Sequence, residues 1–153
     1  MTACPAPPEL ALLLFDSYAR VVGEPLIHTR ATGATLASEL WQMPQVLVAH
    51  GLGDDPLFNY GNAAALALFE MSWEAFTATP SRASAEAANQ AARAKVMTDV
   101  AAHGYTSGYR GLRVSRTGKR FWIENTVIWN VLDVDGRYCG QAATFARWTP
   151  HAE

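Results

Sequence analysis

Cysteine, basic charge and long apolar runs are the scarce features of this sequence. Its two cysteines, Cys4 and Cys139, stand at opposite ends of 153 residues. That pattern suits free thiols in a reducing compartment better than a disulfide framework. Charged residues make up only 17%, and the net charge is -2. The basic field that phosphate binding relies on is therefore missing, and no nucleic-acid partner is expected. No apolar run approaches the ~20 residues of a membrane span. The run Leu10–Phe15 has no Lys or Arg ahead of it and no small-residue cleavage site behind it, so no signal peptide is expected. A cytoplasmic location follows as the expectation.

Chemical motifs are equally sparse. His28, His50, His103 and His151 share no ligand spacing with one another or with the cysteines, so no metal site is expected. The glycines of "GLGDDP" precede a strand pattern, not a helix, which excludes a phosphate loop. Ser, His and Asp show no elbow or triad spacing, and no catalytic residues are assigned.

What is present is half hydrophobic, enough for one domain with a single core. After a Pro-rich leader over residues 1–8, expected to be loose, Leu10, Leu13, Leu14 and Tyr18 recur at helical spacing until Gly23 and Pro25 stop the pattern. A shorter helix is expected over 35–42, carrying Leu36 and Leu40. Residues 9–44 thus form a two-helix N-terminal extension. From Gln45 the pattern changes: "QVLVAH" and "LFNY" are strand candidates around a dense turn. "NAAALALFEM", "SWEAF" and a long alanine-rich segment closed by Gly104 are helical. The last third predicts a three-stranded meander, "GYRGLRVSR", "KRFWIENTVIWNVL" and "RYCGQAATFARW". Strict alternation in its middle strand puts Phe121, Ile123, Asn125, Val127, Trp129 and Val131 on the core face. The fold class is α+β, a five-stranded antiparallel sheet with helices on one face.

This order of elements resembles a PAS domain, and "YGNAAALALFEMSWEAF" resembles the PAS strand-to-helix junction, with Asn62 at the turn. The strings "TPSRASAE" and "HGYTSGYRGLRVSRTGKRFWIENTVIWNVLDVDGRYCGQAATF", with the final Trp148, are similar to the MEKHLA domain, a PAS-related family. The similarity runs from Leu10 to Trp148, with residues 45–149 as the PAS-like part. It implies a stand-alone sensory or regulatory module that binds a small molecule in an internal cavity, self-associates, or does both. The family brings no catalytic residues to carry over. In some plant regulators the domain follows a homeodomain and zipper; neither is found here, so DNA binding does not transfer. A small cavity enzyme and a ligand-free interaction protein are the alternatives.

Several residues are candidates for lining such a cavity. Asn125 and Gln141 are amides in apolar strands. If they point inward they need partners: a ligand, neighbouring backbone, the Tyr60 hydroxyl or a trapped water. Trp129 and Tyr60 complete the expected lining. Arg82 in "TPSRASAE" can pair an anionic ligand, or pin its loop to Glu86 or a sheet carboxylate. Asn62 and Ser72 have the chemistry of helix N-caps, each contributing about 1 kcal/mol; for Asn62, ligand contact is the other reading. Aromatic residues crowd the last third, either as an exposed dimer or partner surface or as packing under the N-terminal helices. Two cofactors are compatible with the resemblance. Haem-binding PAS domains place an axial histidine near His103, although the helix dipole alone also favours a histidine there. Gln141 corresponds to a flavin-contacting glutamine of light-oxygen-voltage domains, whose Asn-Cys-Arg-Phe motif is missing; only non-covalent flavin remains open.

Overall fold

The computed structural model describes residues 5–84 and 90–151; Cys4 and Glu86 lie outside them. In chain order the elements are α1 (Pro8–Val22), α2 (Gly33–Gln42), β1 (Val46–His50), β2 (Phe58–Gly61), α3 (Ala63–Phe69), α4 (Trp73–Thr77), a 3-10 turn (Ser81–Ser84), α5 (Gln90–His103), β3 (Tyr105–Val114), β4 (Arg120–Leu132), β5 (Tyr138–Phe145) and β6 (Arg147–Pro150). The strands form one antiparallel sheet in the order β2-β1-β5-β4-β3, with β6 also paired to β4. No described helix is long and apolar enough to cross a membrane.

Five strands are thus joined by a sixth, because the expected last strand of the meander breaks at Ala146. Its two parts pair with different stretches of β4, β5 with Val127–Leu132 and β6 with Phe121–Glu124. Opposite the break sits Asn125, exposed and with a φ of 49°. Asparagine tolerates this left-handed region better than most side chains. One residue in that conformation inverts the alternation of the rest of the strand.

The single core face expected for β4 is corrected accordingly. Phe121 and Ile123 pack on one side of the sheet with Val46, Phe58, Phe145, Phe69 and Phe76. Past Asn125, Ile128 stays on that side under Val96 and Val100 of α5. Trp129 and Val131 turn to the opposite side, where α1 and α2 lie. We call the α3–α5 side the inner face and the α1–α2 side the outer face. The N-terminal extension is therefore the cover of the outer face. Ala6 is buried in the same cluster, so the described end of the leader is packed, not loose.

Local chemistry explains how α1 docks. Pro8 starts it, and Gly23, with a φ of 94°, ends it by donating its N–H to the Ala19 carbonyl. Its buried stripe is Ala11, Leu14, Ser17 and Tyr18. The serine interrupts that apolar stripe for a reason. Pairing between β4 and β5 slips after Val131, and Ser17 Oγ accepts the Leu132 N–H at 3.0 Å while donating to the Asn130 carbonyl at 3.3 Å. Arg20 adds a bond from Nη2 to the Leu132 carbonyl at 2.6 Å. Ser17→Ala leaves the Leu132 amide without its acceptor and should lower unfolding free energy by about 1–3 kcal/mol. Urea titration of the two proteins measures this, and a change within error would show that water replaces the hydroxyl.

Asn62 is fully buried and does more than cap α3. Its Oδ1 accepts from the N–H groups of Ala65 at 3.1 Å and Leu47 at 3.2 Å. Its Nδ2 donates to the carbonyls of Gln45 at 2.8 Å and Leu40 at 3.1 Å. One amide thereby joins the end of α2, the start of β1 and the start of α3.

Candidate functional site

The inner face is filled unevenly. At one end aromatic rings close it: Phe58 stacks on Phe76 at 4.2 Å, and Phe69 meets Phe121 edge-on at 5.5 Å. Gly61 permits the first of these, since a Cβ there would stand 2.6 Å from the Phe76 ring. Toward α5 the described apolar residues in contact are Val96, Val100 and Ile128, flanked by Tyr109 and Ala143.

On the same face three polar side chains lie in register on neighbouring strands. His50 of β1 pairs with Gln141 of β5, and Gln141 pairs with Asn130 of β4. All three are half-buried. Gln141 Nε2 donates to Asn130 Oδ1 at 3.3 Å. This leaves Gln141 Oε1 as an acceptor and Asn130 Nδ2 as a donor, neither with a further partner among the described residues. His50 Nδ1 lies 2.9 Å from the Gly51 carbonyl. A proton on Nδ1 makes that contact a hydrogen bond and leaves Nε2 as a second acceptor. Next along the same face, Thr126 is fully buried, and its hydroxyl has no partner among the described residues. The row can hydrogen-bond the polar edge of a flat molecule.

The residues expected to line a cavity do not converge. Gln141 is in the row. Asn125 is at the exposed bulge of β4, and the expectation that it faces inward is corrected by its left-handed backbone. Tyr60 and Trp129 are both fully buried, but on the outer face. Trp129 packs edge-on to Tyr18 at 4.8 Å, and Tyr60 edge-on to Trp73 at 6.3 Å. Arg82 forms a two-pronged pair with Asp55 in the β1–β2 loop, at 2.7 and 3.1 Å. The guanidinium holds the Asp55 carboxyl below its ordinary range. This is the pinned geometry, with a partner in a loop 27 residues away. His103 ends α5 and is exposed.

Two members of the row, His50 and Asn130, escape sequence reasoning for different reasons. His50 follows Val46 and Val48 by plain alternation and was available to it. Asn130 was hidden, because the bulge at Asn125 moves it to the other face.

The MEKHLA domain model matches residues 8–150. No curated protein matches the sequence. Similar solved structures include the PAS domain of a protein from Colwellia psychrerythraea, 15% identical with a TM-score of 0.61, covering 72% of this chain and 91% of that one. A light-oxygen-voltage domain studied with a flavin analogue is 17% identical with a TM-score of 0.60, covering 78% and 86%. The dark structure of the light-oxygen-voltage domain of the blue-light photoreceptor Aureochrome1 is 16% identical with a TM-score of 0.54, covering 84% and 89%. At these identities the likeness is one of fold.

Proposed function

Since the chain belongs to the MEKHLA domain family and has the PAS fold, we propose that it senses a small planar molecule held against the inner face of its sheet. The observation that carries this reading is the Gln141–Asn130 pair, which presents a C=O and an N–H side by side, neither with a further partner among the described residues. That pattern complements a ring edge in which C=O and N–H adjoin, as in a lactam, a uracil or the heterocycle of a flavin. Self-association is a second part of the reading. It is supported by the part of the outer face around the half-buried Trp122, where the Arg110 guanidinium lies 4.1 Å over the indole.

Native mass spectrometry of protein purified from its own host tests both. A retained mass beyond that of the chain is expected, and Gln141→Leu should reduce its occupancy about tenfold, the effect of removing one buried hydrogen-bonding group. The same spectrum reads the oligomeric state. If the wild-type protein carries no small molecule and gains no thermal stability from flavins or uracils, the ligand-free interaction reading takes its place.

A further inference from the structure

The net charge of -2 conceals a strong segregation. Six of the chain's 12 Lys and Arg residues are Arg110, Arg113, Arg116, Lys119, Arg120 and Arg147, all on β3, β4, the turn joining them, or β6. The acids that meet this end of the sheet are already engaged. Glu70 accepts hydrogen bonds from Thr117 at 2.7 Å and Ser115 at 3.1 Å and lies 3.6 Å from Lys119. Glu124 accepts from Arg110 at 2.7 Å and Thr149 at 2.9 Å. Arg113, Arg116 and Arg147 have no acidic partner among the described residues.

The sheet has an unfinished edge at β6, two strands from β3, and Arg147 is the cation on it. β6 pairs with β4 alone, and all four of its residues are exposed. An open cleft of about 620 Å³ runs along it, lined by Glu124, Ala146, Arg147, Trp148 and Thr149. Such an edge can accept an added strand through backbone hydrogen bonds, with side chains alternating between its two sides. Here the sides differ. Arg147 sits beside Glu124 in the register, on the side of the Arg110–Trp122 stack, whereas the adjacent Trp148 points the other way and packs edge-on to Phe145 at 6.1 Å.

We infer that β6 is a docking edge for an extended polypeptide segment in which acidic and apolar residues alternate, the acids meeting Arg147, the apolar residues covering Trp148. The inference does not depend on the inner-face row, which lies on other residues. A nucleic acid could meet the cations and stack on the indole but would leave the open backbone edge unused, which is why a peptide fits better.

The probe is a capped hexapeptide of alternating valine and glutamate, titrated into the full chain and followed by backbone amide NMR. Saturable shifts and slowed amide exchange are expected at Arg147–Thr149, with affinity falling as salt is raised. Arg147→Glu should weaken binding about tenfold, while Arg30→Glu, on the exposed segment before α2, should leave it unchanged. Equal binding by the valine–lysine counterpart, tighter binding by an oligouridylate, or shifts centred away from β6 would each overturn the inference. So would concentration-dependent dimerisation through β6 that the peptide fails to compete.

Discussion

Asn62→Asp should destabilise the protein by about 3–5 kcal/mol, although aspartate is as good an N-cap as asparagine. The two side chains have the same shape. In the variant, however, a carboxylate oxygen replaces the Nδ2 that donates to the carbonyls of Leu40 and Gln45. Two carbonyls lose their donor and a charge is left buried among acceptors. At about 2–4 °C per kcal/mol for a chain of this size, the midpoint of thermal unfolding should fall by roughly 10 °C. The effect has a pH signature. Burial without a cation raises the carboxyl pKa in the folded state, so the penalty is full above that raised pKa. It shrinks as pH falls toward the unfolded value of about 3.9. Wild type runs the other way, because Asp55, Glu70 and Asp99 are held below their ordinary range by hydrogen bonds from Arg82, Thr117 and Lys95. Their stabilisation is present above the unfolded pKa and is lost as pH falls through the folded one. The gap between variant and wild type should therefore narrow in acid. A loss below about 1 kcal/mol at neutral pH would mean that Asn62 acts only as a cap.

Gly140→Ala is the second large effect, expected at about 2–4 kcal/mol. Gly140 has a φ of 134°, a conformation that side chains avoid, and a Cβ there would run into the carbonyl oxygen of His50. The obstacle is backbone in the adjacent strand, so no side-chain rotation relieves it. Gly118→Ala provides the comparison. Its φ is 91°, but nothing stands within 4 Å of the added carbon. That variant should lose only the conformational part, about 1 kcal/mol. Denaturant titration of the three proteins separates strain from collision, and equal losses would remove the collision as a cause. Because His50 and Gln141 flank the same contact, Gly140→Ala should also loosen the polar row.

The order of elements, the meander and the family resemblance were legible in the sequence because they rest on local signals. Pro8 and Gly23 bracket α1, Asn62 and Ser72 begin α3 and α4, and the turns divide the last strands. Each of these signals acts within a few residues of the structure it specifies. The remainder depends on pairings across long stretches of chain. Ser17 bonds to residues more than 110 positions away, Arg82 finds Asp55 in a loop 27 residues away, and His50 meets Gln141 only because β1 lies beside β5. The face of every residue in β4 beyond Asn125 was likewise decided in three dimensions. A period of two predicts facing only while the backbone stays extended, and one left-handed residue at the gap between β5 and β6 reversed it. The sequence by itself determined which elements form and in what order. Tertiary structure decided which side chains share a face, and so which amides stand together as a binding row.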